Sequence, residues 1–140
     1  MSIELTGFDE LINDLNNLGD VGKKVGRKAV QEASKIVLQQ QKKDAPKDTH
    51  NSNHGANKLK VTKTKQYKSG TVVGKIGIDS SNWEAAKHLY YQHYGFEHHK
   101  SKKMVTVHVG WMNDSFNKCK EKAAKTMMDV ASAEIDKILK

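Results

Sequence analysis

Four histidines, His88, His93, His98 and His99, fall within twelve residues with Glu97 among them, while His50, His54 and His108 lie elsewhere. Imidazole and carboxylate are ligands for zinc and related metals. The spacings nevertheless match no zinc pattern such as His-Glu-x-x-His, in which one helical turn carries two imidazoles to one ion. No metal is expected here, and these side chains read as solvated loop groups that gain charge as pH falls through about 6.5. Asp48, His50, Asn51, Asn53 and His54 share a polar loop whose residue types suit metal-assisted phosphodiester cleavage, but a loop without apolar anchors holds ligands poorly. Cys119, the one cysteine, could act as a nucleophile beside a histidine. It falls instead on an apolar helical stripe, where a buried, inert thiol is the ordinary outcome. No Gly-x-Ser-x-Gly elbow occurs, and Gly70, Gly74 and Gly77 fit neither a phosphate loop nor a dinucleotide fingerprint. They read as strand and turn glycines. The expectation is a protein that is not an enzyme, with no catalytic residues and no cofactor; a metal-dependent nuclease is the weakest of three functional readings.

Binding chemistry is more visible. The net charge of +8 is concentrated: residues 58–110 carry ten basic and three acidic groups, against eight and eight in residues 1–57 and six and five in residues 111–140. Lys58, Lys60, Lys63, Lys65, Lys68 and Lys75 fall in a stretch without an acid, a face attractive to phosphate or to an acidic partner. Lysines at a strand edge also block edge-to-edge aggregation. Tyr90, Tyr91, Tyr94, Phe96 and Trp111 concentrate the aromatic content in one third of the chain, either as core or as interface anchors. Tyr94, Phe96, Trp111, Met112 and Phe116 are the interface candidates. With lysines nearby, such rings could also stack single-stranded bases.

The elements that must position these groups follow from periodicity. A chain of 140 residues with 36% hydrophobic residues reads as one domain over 1–140 whose modest core leaves self-association open. Phe8, Leu11, Ile12, Leu15 and Leu18 predict a short amphipathic helix over Gly7 to Leu18. Gly19 stops it, Asp20 is a candidate N-cap, and Val21, Val25, Ala29, Ala33, Ile36 and Val37 predict a second helix to about Lys43. Pro46 and the turn formers after it predict a loop over 47–57. Alternation then predicts strands from Leu59 and over Thr71 to Ile78, joined at Lys68-Ser69-Gly70. The first part of Trp83 to Tyr94 reads as helix, 95–103 as loop, and Met104 to Val109 as a strand with Val105, Val107 and Val109 on one face. Asn113 or Asp114 is expected to cap a long last helix carrying Phe116, Cys119, Ala123, Met127, Val130, Ile135 and Ile138, which runs to about Leu139. The fold class is α+β: a small, mainly antiparallel sheet packed with N-terminal helices and a long C-terminal helix. The single cysteine fits a reducing compartment, and neither a signal peptide nor a membrane span is expected.

GFDELINDL, the long Lys24 to Lys43 segment, Ala45-Pro46-Lys47-Asp48-Thr49 and LKVTKTK occur in that order. They resemble the first helix, the second helix, the Ala-Pro-x-Asp-Thr element and the following strand of the tail-completion or head-tail joining family of long-tailed bacteriophages. The resemblance spans nearly the whole chain. His50 stands where the family usually has Gly, Tyr94-Gly95-Phe96-Glu97 stands in the region of its Glu-aromatic-Gly-Thr element, and Gly110-Trp111-Met112-Asn113-Asp114-Ser115-Phe116 stands at its aromatic lead into the last helix. The resemblance implies a structural protein of the virion, assembled in the bacterial host cytoplasm. Such proteins form homo-oligomeric rings that join tail to head connector or complete the tail end around a DNA passage. Connector and tail proteins are the implied partners, with passing contact with DNA and none with a membrane. A basic nucleic-acid-binding domain using Lys58 to Lys75 is the alternative.

Overall fold

The computed structural model describes residues 2–6, 19–47, 55–69 and 71–139. The fold is α+β, with three long helices and two small antiparallel sheets among the described residues. The helix expected over Gly7 to Leu18 lies outside them.

The central element is α1 (Asp20–Asp44). Gly19, not Asp20, occupies its cap position, and Asp20 is the first helical residue. Val25, Ala29, Val30, Ala33 and Val37 are buried, the three-and-four spacing that gives a helix one apolar face. The helix ends at Asp44 because the residue before Pro46 is driven to extended angles; Ala45 sits at φ −56° and ψ 137°, and its N–H donates to the Gln41 carbonyl at 2.8 Å.

On one side α1 meets a three-stranded sheet of order β1 (Ser2–Thr6), β3 (Val72–Gly77), β2 (Lys60–Gln66). The hairpin of β2 and β3 forms as expected, with a bulge between Val61 and Lys63. β1 is an addition: Ser2 to Thr6 pairs antiparallel with Gly77 to Val73, which makes β3 the middle strand. That is why Val72, Val73 and Ile76 are all buried. Helix and sheet approach closely at Gly74, where an added Cβ would lie 2.5 Å from Ser34 Oγ and 3.0 Å from Val30 Cγ1.

On its other side α1 packs against α3 (Trp111–Leu139). Ion pairs Lys28–Glu134 at 2.6 Å and Asp44–Lys118 at 3.5 Å fix the two helices antiparallel. Cys119, Ala123, Met127 and Ala131 line the buried stripe of α3, and with the inward face of α1, Val72 and Ile76 they form one core. A second core unites Ala45, Ala56, Leu59, Ile78, Trp111 and Met112 with Ala86 and Leu89 of α2 (Trp83–Tyr94). Burying a side chain the size of Leu89 contributes about 1.5–3 kcal/mol.

Several expected boundaries change. The 47–57 loop ends in a 3-10 turn, Gly55–Lys58, while residues 48–54 lie outside the described part. Helix α2 is continuous to Tyr94. The 95–103 loop contains β4 (Phe96–Glu97), and the strand expected to Val109 is only β5 (Met104–Val105), its partner. Beyond Val105 the chain turns, with Val109 N–H donating to Thr106 O and Trp111 N–H to His108 O. Among the described residues no further strand pairs with Val107 and Val109, and both side chains are exposed. Helix α3 begins at Trp111, upstream of both Asn113 and Asp114.

Candidate functional site

Three elements converge where α2 ends, the β4–β5 hairpin turns out, and α3 begins. Gly95 (φ 83°) carries the chain out of α2, and its N–H donates to Tyr91 O at 2.8 Å. Gly110 (φ 78°) performs the same reversal into α3, donating to His93 O at 2.9 Å. Both angles favour glycine. Trp111 Nε1 donates to Leu89 O at 3.0 Å, and Met112 N–H donates to His93 Nδ1 at 3.3 Å. The first amides of a helix lack intrahelical partners. Here a buried imidazole from another helix accepts one of them, so His93 works as a neutral cap. Burial holds its pKa below the usual imidazole value, with Asp114 acting in the opposite sense.

This frame presents an apolar surface to solvent. Val107 is 83% exposed, Met104 63% and Tyr94 60%, with Tyr91 and Val109 also exposed. Phe96 is half-buried and, with His88, Tyr91 and Gln92, lines an open depression of about 330 Å³. The tyrosines are held by edge-on packing: Trp83–Tyr90 at 5.4 Å, Tyr90–Tyr91 at 5.6 Å and His93–Tyr94 at 4.7 Å between ring centres, with Tyr90 and Tyr94 tilted at 4.9 Å. A rigid aromatic row with one face in water loses little conformational freedom on binding. Around it stand exposed His98, His99, Lys100, Lys102, Lys103 and His108, with Glu97 the acid of the hairpin, 3.9 Å from Lys102. The centre is apolar and the rim is basic.

Of the expected interface residues, Tyr94 and Phe96 belong to this surface. Trp111 and Met112 do not: at 6% and 1% exposed they fill the second core, because α3 starts at Trp111 and its first turn faces both inward. Phe116 is partly buried against the first core. Tyr91, Val107 and Val109 are exposed near them, while Met104, paired with Glu97, lies on the opposite face of the hairpin from Phe96 and Val105. Tyr91 is visible in the aromatic cluster, but Val107 and Val109 are expected on one face of a strand and not in a turn.

The lysines of 58–75 spread over different settings. Lys58 is exposed on the 3-10 turn. Lys60 pairs with Asp79 at 2.7 Å, a bond that, with a hydrogen bond from Ser81, holds the Asp79 carboxyl down at about 2. Lys63 stands opposite Lys75 in the register, and Lys75 is half-buried on the middle strand. Lys65 lies 4.6 Å from the ring centre of exposed Tyr67, and Lys68 is exposed at the turn. Arg27 reaches this end of the hairpin, donating to Gln66 Oε1 at 3.2 Å.

The groups weighed for chemistry are dispersed. Among the described residues no three histidines, cysteines or carboxylates gather closely enough to hold a metal ion. His88 packs on Gly55, His93 caps α3, and Asp48, His50, Asn51, Asn53 and His54 lie outside the described part. Cys119 is buried, and burial pushes its thiol pKa up. No described helix is long and apolar enough to cross a membrane.

Residues 9–94 match the HK97-gp10-like family, described as "Bacteriophage HK97-gp10, putative tail-component". No curated protein and no solved structure matches the chain. The match ends at the last residue of α2, so the likenesses drawn above at 95–97 and 110–116 fall outside it. It spans more than half of the sequence, and the chain belongs to this HK97-gp10-like family.

Proposed function

From that membership, which makes the chain a structural component of the tailed-phage virion that works with other tail proteins, we propose that it completes the tail end and joins it to the head connector as a homo-oligomeric ring, without catalysing a reaction. The observation that carries this reading is the set of apolar side chains, Tyr91, Tyr94, Met104, Val107 and Val109, exposed where α2 ends, the β4–β5 hairpin turns and α3 begins. Contiguous apolar patches on small soluble proteins mark sites of association. A phage in which this coding sequence is deleted is expected to accumulate filled heads and separate tails, rescued when the protein is supplied in trans. Joined, infectious particles formed without it would refute the role.

A second reading, DNA binding, is favoured by the hairpin tip, where Lys65 and Lys68 flank exposed Tyr67 beside Arg27. It predicts affinity for DNA that falls steeply as salt rises and is weakened by Lys65→Ala with Lys68→Ala. Head-tail joining that survives this double substitution separates the two readings.

A further inference from the structure

We propose that the basic-rimmed apolar surface of one copy docks on the outer face of the C-terminal half of α3 in the next copy, head to tail. This rests on the reading that the protein acts within an assembly, and it names the surfaces involved. Residues 126–136 contain Asp129, Glu134 and Asp136 and no lysine or arginine. Glu134 is already engaged by Lys28 at 2.6 Å and Lys137 at 3.2 Å. Asp129 and Asp136 are exposed and make no ion pair among the described residues. They are seven apart, two turns of helix, and so share one side of α3. Met128, one position before Asp129, is exposed, while Ile135, one before Asp136, is half-buried and packs partly on the first core. The C-terminal half of α3 thus offers exposed Met128 beside two carboxylates that make no ion pair among the described residues. The hairpin surface offers apolar contact beside Lys100, Lys102 and Lys103.

Two alternative contacts are disfavoured by the same geometry. The surfaces cannot meet within one chain: Met128 to Ile138 lies about 25–40 Å along a straight helix from Trp111, where the hairpin surface sits. Pairing of the hairpin surface with itself would set Lys100, Lys102 and Lys103 against their own copies, and like charges in a closing interface are repelled. A contact between different patches of identical chains propagates from copy to copy and closes into a ring where the rotation permits.

The test uses two charge-reversed forms of the full chain. One carries Lys100→Glu, Lys102→Glu and Lys103→Glu; the other carries Asp129→Lys and Asp136→Lys. All substitutions are at exposed positions, and circular dichroism checks that both forms fold. Size-exclusion chromatography with light scattering, run over a concentration series, is expected to show self-association of the wild type that weakens with salt. Each altered form alone is expected to associate at least about tenfold more weakly, since each then meets its own copies with like charge. Mixed together they are expected to associate again, because the unaltered α3 of the first form fits the unaltered hairpin of the second. The inference is overturned if the wild type stays monomeric, if reversal at Asp129 and Asp136 has no effect, or if mixing restores nothing. Any of these, with the deletion phenotype intact, removes this contact and leaves the joining role standing. Association that survives while the deletion gives normal particles removes the role.

Discussion

The His93 cap gives the sharpest prediction. Its imidazole is buried, accepts the Met112 amide at 3.3 Å through Nδ1, and ties α3 to the helix that carries the aromatic row. His93→Leu removes the acceptor and leaves a buried N–H without a partner, which costs about 1–3 kcal/mol. For a chain of this size, at about 4 °C per kcal/mol, Tm should fall by roughly 4–12 °C. His93→Asn places an amide oxygen near the position of Nδ1, keeps an acceptor, and should recover a good part of that loss. The pH dependence has a definite sign. Burial lowers the pKa of His93 in the folded chain, so below about 6.5 the unfolded chain takes up the proton first. The stability His93 contributes is therefore complete above pH 6.5, falls as pH drops from there toward the folded pKa, and levels off below it. Urea melts at closely spaced pH values between 8 and 5, run on the wild type and both variants, read this directly. The asparagine form should show a smaller acid-side decline, the remainder including that from His88, whose pKa burial also lowers. Wild-type stability for His93→Leu, or an unchanged decline in His93→Asn, would refute the capping argument.

Other outcomes follow from the same geometry. Gly74→Ala should destabilise by about 1–3 kcal/mol through overpacking, because its Cβ would meet the Ser34 hydroxyl that donates to Val30 O at 2.7 Å. Ser34→Ala removes the obstructing oxygen, so a double-mutant cycle in urea should show positive coupling of about 1 kcal/mol; strict additivity would contradict the close approach. Val107→Ser, at the most exposed of the surface hydrophobics, should change stability by less than about 0.5 kcal/mol while weakening association in light scattering. Cys119, buried with its thiol pKa raised, should react with a thiol reagent at neutral pH only as fast as the chain opens, and fast labelling in native buffer would show that α3 is not seated on α1.

What could be read from the sequence was whatever a local pattern encodes. The stripe from Val25 to Val37 and the stripe through Cys119, Ala123 and Met127 each repeat over several turns, so helical geometry alone sets which side is buried. The β2–β3 hairpin was legible for the same reason, because alternation and a turn signal coincide, and the family likeness reached the match found over residues 9–94. Tertiary structure decided the rest. Ser2 to Thr6 became a strand because β3 had an open edge to pair with, and a five-residue run carries too little pattern to show that. Val105, Val107 and Val109 alternate as a strand should, yet only Val105 finds a partner, in Phe96. The two valines left over became exposed surface, because alternation states which side chains point together and not whether another strand arrives to cover them. Trp111 and Met112 went inward once hydrogen bonds to Leu89 and His93 fixed the start of α3. Those bonds join residues about twenty positions apart, a distance over which no local periodicity carries information.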